Sequence, residues 1–192
     1  GVQADGVTAL GNGQQGVRIE NATNSRVGEV GLGNIIAYNG HSGVQIETGT
    51  GHAIRNNAIF ANGALGIDLG GNGVDVNDTG DPDSGANNGQ NYPVIFNAIS
   101  GNNTVVQAGL GGTPLTSYTV EFFSNSSCES TGFGEGQTLL GSALMTTTVN
   151  GVALLDVTFP IATMAGQFLT ATATDPAGNS SEFGYCLPLQ PD

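Results

Sequence analysis

Residues 34–69 read NIIAYNGHSGVQIETGTGHAIRNNAIFANGALGIDL, and two short units occur twice within them. Asn34-Ile35-Ile36-Ala37-Tyr38-Asn39-Gly40 returns 23 residues later as Asn57-Ala58-Ile59-Phe60-Ala61-Asn62-Gly63. Gly43-Val44-Gln45-Ile46-Glu47 returns as Gly66-Ile67-Asp68-Leu69, again after 23, and follows Gly16-Val17-Arg18-Ile19-Glu20 by 27. Arg26-Val27 aligns with Ala53-Ile54 at that same spacing of 27. Periods in the twenties, with strands of two or three apolar residues between Gly and Asn turns, are the signature of a solenoid. No unit is long enough for a helix, so a parallel β-helix is expected. Its coils would stack Val17, Ile19, Val44, Ile46, Ile67 and Leu69 inward and turn Arg18, Gln45 and Asp68 outward as a solvated row. Asn39 and Asn62, each before a glycine, are expected at left-handed corners, and Asn34 and Asn57 in a ladder between coils.

From Tyr92 the pattern changes to longer strands of period two. Tyr118, Val120 and Phe122 share one face, as do Ala153, Leu155, Val157 and Phe159, and further strands are expected near 103–109, 139–147 and 167–174. Pro93 would mark the start of the first strand, where proline is tolerated. Six or seven such strands in roughly 100 residues, with a single disulfide, fit an immunoglobulin-like sandwich. Cys128 and Cys186 stand 58 residues apart, which suits no zinc or redox motif. That spacing suits one long-range disulfide in an oxidising compartment, the alternative being two free thiols in a cytosolic protein.

Composition narrows the function classes. The 192 residues include 32 glycines, no tryptophan and no lysine, and three arginines stand against 16 acidic residues for a net charge of -13. Phosphate backbones and anionic membranes are bound through Lys and Arg, so nucleic acid is excluded as a partner. The apolar runs end after four or five residues, as at Val152-Ala153-Leu154-Leu155, far short of the ~20 of a spanning helix, and no membrane insertion is expected. Gly1 opens no charged, apolar leader, so an export signal is expected to have been removed or never included. Cations, neutral glycans or a purely solvated surface are compatible with such acidity.

The units GNIIAYNG and GIDLGGNGVDVNDTGDPDSGANNGQNYPVI, with EFFSN, GEGQTLLGS and ATATDPAGNSSEF after them, resemble the ends of large bacterial secreted or cell-surface proteins. In those proteins right-handed parallel β-helix repeats run into an Ig-like domain. The resemblance covers nearly the whole chain and implies an all-β fold: a short right-handed parallel β-helix followed by an immunoglobulin-like β-sandwich. The boundaries it suggests are coils at 1–72, an Asp/Gly/Asn-rich joint at 73–91 and the sandwich at 92–192. For function it implies only an extracellular or cell-surface role.

The sharpest chemical candidate lies in the joint. Counting from Asp75, oxygen-bearing side chains recur at Asp75, Asn77, Thr79, Asp81 and Asp83 with Gly80 at position six, the alternation that turns several oxygens toward one calcium ion. Position twelve is Ala86 where a bidentate Glu belongs, and the competing reading is a solvated loop of Asx turns. Calcium is thus the one cofactor the sequence suggests, and it would lock the angle between the domains. Asp68 and a loop aspartate could serve as an inverting glycosidase pair, which predicts sugar release from neutral polysaccharides abolished by Asp68→Asn. His41 and His52 lie in turns without a nucleophile motif and are expected to be exposed. Sequons at Asn21, Asn77, Asn102, Asn125 and Asn179 are what an Asn-, Ser- and Thr-rich chain produces by chance.

The first coil is expected to present an open edge. Val2, Val7 and Leu10 look like half a coil with no capping helix before them. Covering that edge head to tail by another copy is a heterologous contact that generates a filament if the rotation does not close. The expected function is therefore a non-catalytic extracellular structural subunit that self-associates end to end. The rivals are a C-terminal stalk or adhesin module of a larger surface protein, a glycan-binding module, and a polysaccharide hydrolase.

Overall fold

Seven short strands lie between Val17 and Leu69 in the computed structural model, which describes residues 1–192. They are β1 Val17–Ile19, β2 Arg26–Val27, β3 Ile35–Ala37, β4 Val44–Ile46, β5 Ala53–Ile54, β6 Ala58–Phe60 and β7 Ile67–Leu69. All pair in parallel, in three stacks ordered β1-β4-β7, β2-β5 and β3-β6. Each passage through the stacks forms a tier. The registers are those of the sequence repeats: Val17 over Val44 over Ile67, Arg26 over Ala53, and Ile36 over Ile59. Like sits on like because a residue one tier above is one strand spacing away, ~4.8 Å, close enough for branched side chains to interdigitate. Ile19, Ile36, Val44, Ile46, Ile54, Ile59, Ile67 and Leu69 form the resulting core.

The corners differ from expectation in an instructive way. The left-handed non-glycine residues of the tiers are Asn21 (φ 53°), Asn24 (φ 55°), Tyr38 (φ 59°), Asn56 (φ 57°) and Ala61 (φ 52°), while Asn39 and Asn62, which follow Tyr38 and Ala61, are not left-handed. Those two asparagines instead point their side chains into the stack. Asn39 Nδ2 donates to Asn62 Oδ1 at 2.7 Å, beside an Asn34 to Asn57 bond of 2.9 Å, so the expected ladder exists at two corners. An amide carries both donor and acceptor, so one asparagine per tier can relay the pattern indefinitely.

The row Arg18, Gln45 and Asp68 keeps its register but is not solvated throughout. Gln45 and Asp68 are 9% and 7% exposed. Gln45 is held by Gln15 at 2.5 Å and itself donates to Glu47 at 2.7 Å, and Gly71 approaches it so closely that a Cβ there would meet Nε2 at 2.3 Å. Asp68 takes a hydrogen bond from Ser42 Oγ at 3.1 Å. Only Arg18 remains at the surface, paired with Glu47 at 2.9 Å. Residues 1–10 double back on themselves through a Val2 to Ala9 bridge and dock the terminal amine on the Ala37 carbonyl, leaving Val7 and Leu10 exposed.

The second half comprises β8 Val94–Ser100, β9 Thr104–Gly111, β10 Ser117–Asn125, β11 Thr138–Thr146, β12 Val152–Phe159, β13 Phe168–Thr174, β14 Leu187–Pro188 and β15 Gln190–Pro191. Two four-stranded sheets result, β12-β9-β8-β15 and β11-β10-β13-β14, neither closed into a barrel. Tyr118, Val120 and Phe122 from one sheet and Val106, Ala108 and Leu110 from the other meet in a single core. Ala153, Leu155, Val157 and Phe159 face that core as expected, whereas Leu154 between them is 76% exposed. Alternation fails on β13, buried from Leu169 to Thr174, and on β10, buried from Val120 onward. A strand buried on both faces has something packed on its outer side, and here that is the last tier.

Candidate functional site

The seam between the tiers and the two-sheet body gathers the chain's most unusual side chains. A last tier must leave a row of backbone N–H groups without a tier above them, and these have to be satisfied or solvated. Three glutamates of the sheet body satisfy them. Glu135, on the β10–β11 connection, takes the Asn62 backbone N–H at 3.1 Å and its Nδ2 at 2.8 Å. Glu182, between β13 and β14, takes the N–H of Leu69 at 3.0 Å and of Asp75 at 3.1 Å. Glu121, on β10, takes the N–H of Asn56 at 2.9 Å and its Nδ2 at 2.6 Å. At the fourth corner Asn87 plays the same part, accepting from the His52 N–H at 3.0 Å and donating to the carbonyls of His52 and Ser180.

Apolar contacts close the middle of the seam. Phe123 and Phe183 meet edge to face with centroids 5.4 Å apart and belong to the same core as Ile59 and Ile67. Ile59 and Gly136 exchange backbone hydrogen bonds of 2.8 and 2.7 Å, so the β10–β11 connection acts as one more strand over β6. A side chain at Gly136 would collide with Phe183 and Phe123 at 2.7 to 2.8 Å, which explains the glycine. The disulfide joins Cys128 to Cys186. It therefore staples the connection carrying Glu135 to the segment that follows Glu182 and Phe183.

Burial governs the electrostatics here. Glu121 and Glu182 are each 2% exposed and Glu135 9%. Desolvation raises all three carboxyls, and their amide donors offset this only in part. Arg55, 3.7 Å from Glu121, lowers that one as well. Burial pushes Glu182 up to about 8, its Leu69 and Asp75 amide donors offset this in part, and the nearby charges of Asp75 and Asp68 add to it. Glu129 is pushed up to about 7, by burial and then by the charge of Glu135.

The residues singled out from the sequence are distributed otherwise. Asn77 forms a reciprocal pair with the Tyr92 backbone, donating at 2.8 Å and accepting at 2.9 Å. Asp81 accepts from Gln90 Nε2 at 2.7 Å and the Asn91 N–H at 2.9 Å, and Asp75 from Asn72 at 3.2 Å. Thr79 and Asp83 lie at the surface. No group of three or more His, Cys, Asp or Glu is arranged to hold a metal ion. The 73–91 stretch itself divides: residues 82–85 are exposed, whereas Ala86, Asn87, Gln90 and Asn91 are buried, the first two against the tiers. His41 is exposed as expected, but His52 is fully buried, its Nδ1 accepting from the Ser25 N–H at 3.3 Å as a rung between tiers.

Glu135 and Glu182 went unnoticed in the sequence because a lone acid in a polar segment reads as surface, and Glu121 because a period of two puts it on the face opposite Val120 and Phe122. One signal was present. Phe122-Phe123 breaks the period of two on β10, which announces that the face shared by Glu121 and Phe123 is also covered. No helix of the chain is long and apolar enough to cross a membrane. The chain matches no protein-family model and no curated protein.

Proposed function

We propose that this chain is a non-catalytic structural module of a secreted or cell-surface protein, a short right-handed parallel β-helix whose last coil is sealed by an Ig-like sandwich. The seam carries this reading: three buried glutamates and Asn87 continue the hydrogen-bond pattern of the coils into the sandwich. The three buried glutamates are spent on backbone and asparagine amides of the last tier. The strand order supports the sandwich assignment, since β12-β9-β8 against β11-β10-β13-β14 follows the split of an immunoglobulin fold into two sheets with the third, sixth and seventh strands together. A disulfide supports an oxidising, extracellular setting.

Sealing one end also bears on assembly. A copy cannot stack coil on coil where the sandwich sits, so a stalk module fits the geometry better than a filament of stacked coils. Sedimentation equilibrium of the purified chain from micromolar to millimolar concentration separates the two. A monomer throughout supports the stalk module, and concentration-dependent growth without limit replaces it with the filament. Release of reducing sugar from neutral polysaccharides, lost in Asp68→Asn, would overturn the non-catalytic reading.

A further inference from the structure

Two clefts open where the β10–β11 connection runs beside the tiers. One, of about 330 Å³, lies between Tyr38 and Phe60 of the tiers and Ser126, Ser127 and Gln137 of the connection. The other, of about 480 Å³, lies between Leu65, Asp68 and Val74 and the connection's Ser130 and Thr131. Asn62 and Glu129 line both, so the two meet in one groove with Glu129 at its middle.

The groove holds acids and no base. Its charged residues are Glu129, Glu135 and Asp68, and none of the three arginines lines it. Glu135 is spent on Asn62, but half-buried Glu129 receives no hydrogen bond and faces only the further negative charge of Glu135. Asp68, 7% exposed, engages Ser42 through Oδ2. Its Oδ1 is buried without a partner, the Gly71 and Gly73 amides nearby falling short of hydrogen-bond geometry. Carboxylates drawn partly out of water and left unpaired gain most from a cationic donor. These acids are not arranged to hold a metal ion, which leaves an organic cation.

The opposite wall suits such a cation. Tyr38, 39% exposed, and Phe60 meet edge to face with centroids 5.7 Å apart, and aromatic faces attract ammonium groups. Ala61, the counterpart of Tyr38 one tier on, is small, and the cleft opens beside it. The remaining lining is hydroxyl and amide. Gln137 Oε1 is held by the Ser126 N–H at 3.1 Å and Oγ at 3.0 Å, which leaves its Nε2 without a protein partner, and Ser127 and Ser130 are exposed. A lysine side chain on its apolar stem would leave those groups unmatched, whereas a sugar ring brings hydroxyls beside its amine.

We propose that this groove binds an amine-bearing saccharide, a glucosamine-type unit, with its ammonium on Glu129 and against the Tyr38 and Phe60 rings and its hydroxyls on the serine and threonine wall. This binding goes beyond the structural role and is independent of whether the module is a stalk or a filament.

The glucosamine trisaccharide, its fully N-acetylated form and the tetrapeptide Gly-Lys-Gly-Lys, titrated into the intact protein by calorimetry and amide NMR, test it. Salt of about 0.15 M screens charges more than about 8 Å apart, so the net charge of -13 does not by itself hold the ligand. Saturable binding of the free amine is expected, with shifts at Ala61, Ser127 and Glu129, weakened about tenfold or more by acetylation. Glu129→Gln should weaken it by a similar factor, whereas Asp156→Asn, which removes an equal charge from the exposed face of β12, should leave it unchanged. Tyr38→Gly, which suits the left-handed backbone there, should weaken it about threefold with the fold checked by NMR. The proposal is overturned if the free amine fails to bind, if the acetylated form binds as well, if Glu129→Gln and Asp156→Asn behave alike, or if the lysine peptide binds as tightly as the sugar.

Discussion

Glu135 holds the place that an asparagine holds in the tiers below it. Asn12, Asn39 and Asn62 are passed through in turn by hydrogen bonds of 2.9, 2.7 and 2.8 Å, and the last of these ends on the carboxylate. A carboxylate only accepts, so it can end such a ladder but cannot extend it. Glu135→Ala would leave two Asn62 donors buried and unpaired and should cost about 2–3 kcal/mol in urea denaturation. Glu135→Gln keeps the accepting oxygen and removes a buried charge, and it should fall within about 1 kcal/mol of wild type. At Glu182 the expectation concerns pH. Its carboxyl sits near 8 when folded, above its ordinary value of 4.5, so the folded state binds the proton more tightly than the unfolded one. The stability this confers is complete below about 4.5 and is lost as pH rises through 8, by up to roughly 1.4 kcal/mol per pH unit. Melting temperature should therefore fall between pH 5 and pH 8, and Glu182→Gln should flatten that slope.

At the scale of elements, the stacks were legible because similar apolar residues must face one another at a fixed period, and the strands β9, β11 and β12 because alternation survives wherever one face is wet. What could not be read is where two halves with separate patterns meet. Glu121 and Glu182 obtain their role from amides 65 and 113 residues away in sequence, a separation that no local pattern encodes. The reversed expectation for Gln45, Asp68 and His52 has the same origin, since long-range cover turns an outward position into a buried one. The β10–β11 connection is the element most dependent on its staple. Reduction of Cys128–Cys186, or Cys128→Ser, should lower stability by about 4 kcal/mol from loop entropy alone. It should also speed exchange of the Asn62 and Ile59 amides, which NMR can follow. The 75–83 loop offers a contrasting expectation. Because Asn77 and Asp81 are spent on residues 90–92, millimolar calcium or its chelation should leave the melting temperature unchanged. A calcium-dependent rise would place an ion in the loop.

For the whole molecule, the sheet body is built as the end of the tiers rather than as a separate bead. Phe123 and Phe183 belong to the tier core although they come from the other half of the chain. Phe183→Ala should consequently cost about 3–5 kcal/mol and destabilise both halves together. Scanning calorimetry at pH 5 tests that unity most directly. A single endotherm is expected, with calorimetric and van't Hoff enthalpies equal and near 130 kcal/mol for 192 residues melting around 60 °C. Two resolved transitions, one for the tiers and one for the sheets, would contradict it.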